Sequence, residues 1–183
     1  MLAYIFVLFA VAMRMPFMPH PWNFTPVAAA LLYFGARGSR RQLWVPFALL
    51  AASDVILTKF VYAYQFSWDH YVTWLWYAAI LWLGTSLRQN AALSDAKDWF
   101  RIGGASLASS VSFFIVSNFA AWACWTDMYP RTFAGLMTSY AAGLPFFRRS
   151  LEGDFLFTAL MFGVPAVAAL LARSGENQHS AAI

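Results

Sequence analysis

The chain has 183 residues, 12 Lys and Arg against 8 Asp and Glu, and a net charge of +4; it is 61% hydrophobic, 19% aromatic and only 11% charged. A soluble globular chain is about 25% charged, so this composition excludes an ordinary soluble domain. Its positive charges sit scattered at the ends of apolar segments and form no stripe, which argues against nucleic-acid binding. The lone cysteine, Cys124, excludes an intrachain disulfide.

In chain order, the first apolar stretch is Leu2–Met13, with Ala10-Val11-Ala12 in the manner of a cleavage site. No basic residue precedes it, as a signal peptide requires, so it reads as a retained first helix. A spanning helix needs about 20 apolar residues. The blocks Met1–Pro16 and Thr25–Ala36 fall short of that and read as two helices joined by a tight bend carrying Pro16, Pro19, Pro21 and Pro26. Leu43–Thr58, Tyr71–Leu87, Gly103–Trp125 and Phe155–Ala172 are the four comfortable spans. Thr132–Phe147 is open between a span and a helix lying in a cavity or at the interface. The expected fold class is all-α: a polytopic membrane protein with six transmembrane helices, both termini in the cytoplasm, and an extra short helix in the last outer loop. Residues 1–173 form a single transmembrane domain and 174–183 a polar, frayed cytoplasmic tail. Seven spans is the alternative.

Charge sets the orientation. With six spans the inner seams hold Arg37, Arg40, Arg41, Arg88, Lys97, Arg101 and Arg173, and the outer seams hold Lys59, Arg131, Arg148 and Arg149, with Arg14 near the outer end of the first helix. The short basic loop from Arg37 to Arg41 votes most strongly, because such loops stay inside. A bacterial cytoplasmic (inner) membrane is the expected location. Residues 89–97 read as a solvated linker. This orientation puts the unusual side chains at the outer end, among them His20, Asn23, Asp69, His70, Asp127, Arg131, Arg148, Arg149, Glu152 and Asp154.

Four constellations stand out there, each with a plain structural reading beside a functional one. At the second-helix entry, Thr25 is an apt N-cap and Pro26 an apt first helical residue; the free amides that follow suit an anion, or Trp22 is merely an interfacial anchor. In the fourth helix His70, Trp74 and Tyr77 share a face, which is either a pocket wall beside Trp68 and Asp69 or an aromatic belt with a capping Asp69. In the fifth, Asn118 lies one turn from Trp122 and must face protein or a cavity, while Gly103, Gly104, Ser106, Ser109 and Ser110 suit close helix packing. Last, Asp127, Tyr129 and Arg131 flank Pro130, Tyr140 follows, and Arg148, Arg149, Glu152 and Asp154 precede the final span, as salt-bridged loop structure or as a ligand site. No histidine–glutamate metal pair, Gly-x-Ser-x-Gly or phosphate-cradling loop occurs.

The run Asn23-Phe24-Thr25-Pro26-Val27, followed by an Ala-rich helix closing at Phe34-Gly35-Ala36-Arg37-Gly38, resembles the second-helix entry of biotin-type S-components, the substrate-binding membrane subunits of energy-coupling-factor vitamin transporters. Gly143-Leu144-Pro145-Phe146-Phe147 leading to Gly153-Asp154 resembles the entry into that family's last helix. The chain also resembles small bacterial membrane proteins that share its Tyr129-Pro130 and Gly153-Asp154 segments. The S-component resemblance implies a pocket open to the outside, lined by the later helices, and an energy-coupling-factor module as partner. Biotin-type members carry a lysine three residues after the acid, where this chain has Phe157. The first helix lacks the family's Ala-x-x-x-Ala docking pattern, which Ala48 and Ala52 supply in the third. Solitary members of that family handle cobalamin, some through a cysteine near the outer pocket, the depth expected of Cys124.

The expectation is therefore uptake of a vitamin-like small molecule, cobalamin or a related cofactor first, held by Asn23, Trp68, Asp69, His70, Trp74, Asn118, Trp122, Tyr129, Arg131 and Tyr140. Cys124 or His70 is the axial ligand if the molecule is a corrinoid. No permanently bound cofactor is expected; the partners are the lipid bilayer, the small-molecule substrate and the coupling module. The alternatives are an intramembrane enzyme acting on a lipid or carrier-linked substrate through Asp69 and His70, and a scaffold subunit that offers Ser106–Ser110 to a partner.

Overall fold

The computed structural model describes residues 1–18, 23–88, 95–125 and 127–181, with side chains from these residues up to 172 and at 174. Pro19, His20, Pro21 and Trp22, residues 89–94 of the linker, and the Arg173 side chain lie outside the described residues. Among the described residues every regular element is helical: α1 (Leu2–Met13), α2 (Val27–Arg37), α3 (Trp44–Ile56), α4 (Asp69–Thr85), α5 (Ala96–Cys124) and α6 (Phe133–Ala181). A 3₁₀ turn, Arg40–Gln42, leads into α3, and a π turn, Leu57–Val61, prolongs it.

Three helical stretches, Arg40–Val61, Ala96–Cys124 and Phe133–Ala172, are long and apolar enough to cross a membrane. α1 and α2, with 12 and 11 residues, rise only about 18 and 16 Å, well short of a hydrocarbon core of about 30 Å.

Length is not what places α2. Every residue from Val27 to Ala36 is buried, and α1, α4, α5 and α6 all pack on it. A helix apolar all round belongs inside, and Ala28, Ala29 and Ala30 leave room for neighbours to close on its first turns. On the α4 side the approach is limited by backbone. A Cβ on Gly35 would overlap the Leu81 carbonyl and sit 2.8 Å from the Gly84 Cα, and one on Gly84 would meet the Leu32 carbonyl. Paired small residues of this kind let helices approach in lipid, where packing replaces the hydrophobic effect. On the opposite flank Tyr4 and Phe6 of α1 meet Phe34 and Tyr33 edge-on at 5.0 and 4.9 Å, and Tyr33 meets Phe162 of α6 at 5.1 Å. The C-terminal carbonyls of α2 are met by Arg88, whose Nε donates to the Gly35 carbonyl at 2.8 Å and whose Nη2 donates to that of Gly38. This cation closes the negative helix end.

α5 lies along α6 through small polar residues. Ser106, Ser109 and Ser110 are buried; Thr158 donates to Ser106 Oγ at 3.2 Å and Ser110 to Asp154 at 2.6 Å. The expected close-packing role of the serines is met within the chain, which removes Ser106–Ser110 as a face for a partner. Gly103 and Gly104 do not share it: a Cβ on either would meet nothing within 4 Å.

Three expectations are corrected in α6. No separate short helix precedes the last span; Thr132–Phe147 forms most of the first third of one helix of 49 residues, which passes through Pro145 and Pro165. The charged seam expected to be loop is helical because its groups are satisfied on the helix. Arg148 and Arg149 pair with Glu152 at 3.0 and 3.5 Å, and Asp154 is buried against α5. The segment expected to be a frayed tail also continues as helix through Ala181.

The α2–α4 crossing is testable. Gly84→Ala is expected to lower stability in detergent by about 1–3 kcal/mol, the usual cost of overpacking, whereas Gly103→Ala is neutral. Thermal unfolding followed by circular dichroism checks both.

Candidate functional site

Polar side chains gather where α2 begins. Asn23 adopts the left-handed region with φ 60°, a conformation that asparagine tolerates better than most residues. Its carbonyl accepts from Ser150 Oγ of α6 at 3.3 Å. Pro26 takes the N-cap position of α2 without any side-chain cap. The expected Thr25 cap is thus displaced by one residue: Thr25 spends its backbone against α6, where a Cβ on Gly153 would lie 3.4 Å from its nitrogen.

Two cavities adjoin at this point, sharing Asn23, Phe113 and Ser150 as wall. The first, about 210 Å³, lies between α5 and α6 and takes in Ser117, Asn118, Gly143, Phe146 and Phe147. The second, about 140 Å³, reaches the start of α2 and is lined also by Arg14, Thr25, Tyr77 and Asp154. Together they make one polar cleft with aromatic walls.

A buried ion pair braces one side. Arg14, just past α1, pairs through Nη2 with Asp54 Oδ1 of α3 and donates from Nη1 to Ser53 Oγ at 2.8 Å. Trp74 Nε1 donates to Asp54 Oδ2 at 2.9 Å, and the Tyr77 hydroxyl reaches Oδ1 at 3.4 Å. The Asp54 side chain is only 8% exposed. A carboxylate so deep needs this many donors, because desolvation otherwise outweighs attraction.

Of the residues expected to bind ligand, Asn23 and Asn118 line the cleft. Asn118 donates to the Phe114 carbonyl at 2.8 Å and packs on Gly143, so it faces both protein and cavity. Trp74 acts at one remove, through Asp54, and Tyr140 through its ring contact with Phe114 at 5.6 Å. The others fall outside the cleft, one group at the start of α4 and one at the turn between α5 and α6. His70 is engaged at both ring nitrogens, with Thr58 Oγ1 at 2.8 Å and the Ser67 carbonyl at 3.1 Å, and stacks on Phe66; Asp69 accepts from Ser67 Oγ. Trp68 is exposed beside them. Hence the His70–Trp74–Tyr77 stripe faces α3 and its π turn, and only Tyr77 reaches the cleft. Trp122 donates to the Pro130 carbonyl at 2.9 Å, and Arg131 covers its ring at 5.7 Å while donating to the Ala123 carbonyl. Tyr129 belongs to that turn, and its side chain lines neither cavity.

Neither Cys124 nor His70 lines the cleft. Among the described residues no group of three or more His, Cys, Asp or Glu side chains gathers to hold a metal ion.

Sequence reasoning missed Asp54, Tyr77 as its partner, Ser117 and Ser150; it placed Arg14 without giving it a role in the site, and it offered Asp154 only as one of several charges in a loop. Asp54 was detectable, being a lone acid inside the apolar block Leu43–Thr58. An intramembrane ionisable group is a functional candidate by default.

The family profile that matches this chain runs over residues 1–176. The chain belongs to DUF6580, a family of unknown function. Neither a curated protein nor a solved structure matches this DUF6580 member.

The ion pair makes a direct prediction. Asp54→Ala leaves Arg14 buried and unpaired and is expected to cost about 3–5 kcal/mol. The double variant Arg14→Met with Asp54→Leu recovers much of that loss. Denaturant unfolding of the three proteins in detergent measures the difference.

Proposed function

We propose that this DUF6580 chain is a substrate-binding membrane protein for uptake of a small vitamin-like molecule, and that the molecule sits in the cleft at the start of α2. The observation that carries the reading is the meeting of the two segments that resemble vitamin-transporter S-components. Asn23-Phe24-Thr25-Pro26 and Gly143–Asp154 lie more than a hundred residues apart, yet Gly153 packs on Phe24 and Thr25, and Ser150 on Asn23. Both segments contribute walls to the same cavity. Local stability alone gives no reason for two such segments to converge on an open polar space.

In this reading the six helices cross a bacterial inner membrane with both termini inside, α1 and α2 making short crossings around the Pro-rich bend, and the cleft opens outward. Cavities of about 210 and 140 Å³ each fall below the roughly 300–1,000 Å³ of ordinary ligand sites and reach its lower end only when joined. A molecule of one or two rings fits that scale better than cobalamin. The aromatic walls at Phe113, Phe114 and Phe147 suit a flat ring, and Asn23, Ser117 and Asn118 offer directional hydrogen bonds. Ala48 and Ala52 are exposed on α3, which leaves that face open to an energy-coupling module.

Titration calorimetry of the purified full chain against a vitamin panel tests the proposal. One member is expected to bind at micromolar or tighter Kd, with affinity cut about tenfold or more, the worth of one well-placed contact, by Asn118→Leu and left unchanged by His70→Ala. A panel without any binder, together with no small molecule carried through native mass spectrometry, overturns it.

A further inference from the structure

We propose that the ligand of this cleft carries a protonated nitrogen and that Asp154 is the group that pairs with it; this rests on the uptake reading above. Asp154 is 6% exposed and lines the cavity at the start of α2. Its Oδ2 accepts from Ser110 Oγ at 2.6 Å, and the ion pairs among the described residues, Arg14–Asp54, His70–Asp69 and those of Arg148 and Arg149 with Glu152, do not include it. Arg14 is the one cation on the described walls of the cleft, and Asp54 already holds it. The pair cancels, leaving one carboxyl in the cavity without a counter-charge among the described residues.

The next turn of α6 supplies none. Three residues beyond Asp154 stands Phe157, its ring packed between Phe9 at 5.9 Å and Phe24 at 5.4 Å. A carboxylate withdrawn from water needs a partner charge or a proton, and a cationic ligand provides the first.

The surrounding surface favours the same ligand. Trp76, Tyr77 and Phe113 line this cavity with Asp154, and aromatic side chains stabilise a nearby cation through their ring faces. The neighbouring cavity, walled by Phe114, Phe146 and Phe147, is apolar enough to take a ring. The substrate class is thus a small aromatic or heteroaromatic molecule bearing an ammonium or a charged ring nitrogen.

The test divides the vitamin panel by charge at pH 7. Pyridoxamine and thiamine carry a net positive charge, nicotinamide is a neutral heteroaromatic ring, and biotin and pantothenate are anions of similar scale. The wild-type protein is expected to bind a cationic member at least about tenfold tighter than its neutral or anionic counterparts. Asp154→Asn is expected to erase that preference while keeping weak binding of the neutral form. If a neutral or anionic vitamin binds best, or if Asp154→Asn keeps the preference, this inference falls and the uptake reading stands. If no panel member binds the wild-type protein, both fall. The wild-type comparison of pyridoxamine and thiamine with nicotinamide decides the matter even where the variant does not fold.

Discussion

Enclosing a short helix on every side is the constraint from which the rest follows. α2 is buried from Val27 to Ala36, so neither its sides nor its ends can rely on lipid or bulk water. Its flanks are settled by the Gly35–Gly84 approach and by the tyrosine and phenylalanine rings of α1 and α6. Its C-terminal carbonyls are settled by Arg88. The N-terminal end has no such stopper. The first amides of a helix have no partner within it, Pro26 offers no side-chain cap, and the polar groups of four other helices gather there instead.

That gathering explains why the cleft is polar in a chain with so few polar residues. Arg14, Asp54, Tyr77, Ser110 and Asp154 come from five different segments, and all but Asp54 line the same small space. Arg14 and Asp54 satisfy each other, with Ser53, Trp74 and Tyr77 filling the remaining valences. A complete network of this kind rigidifies the helices that carry it. Asp154 is different in kind, because among the described residues its hydrogen-bond partner is a single serine, Ser110. Asp54 is satisfied behind the cavity wall and Asp154 stands on it beside Ser110, a contrast on which the proposed pairing with a cation rests.

The two groups of residues that looked functional by position but lie outside the cleft are equally instructive. His70, Asp69 and Trp68 cluster at the start of α4, and Trp122, Tyr129 and Arg131 at the turn between α5 and α6. Their hydrogen bonds run to Thr58, to Ser67 and to nearby main-chain carbonyls. Short loops between helices leave carbonyls unpaired, and side chains with N–H donors are what such ends recruit. Aromatic and basic residues at helix ends therefore signal loop closure as readily as ligand binding.

Composition and hydropathy by themselves determined that the chain is all-helical and suited to a bilayer, because 11% charged residues cannot clothe a soluble fold. They located α1 to α4 to within a few residues but began α5 too late and divided α6 in two; they marked Asn118, since an amide in an apolar run must face protein or a cavity, and Asn23 at the entry to α2. They also marked the two segments whose meeting carries the functional reading. What they could not determine is which polar residues meet. Arg14 and Asp54 are separated by 40 positions and Ser110 and Asp154 by 44, and no local period links such pairs. Only the packing of α1 on α3 and of α5 on α6 brings them together. Tertiary structure likewise decided that Thr132–Phe147 continues through Pro145 into the last helix, because the charges at the seam find partners one turn away and at α5.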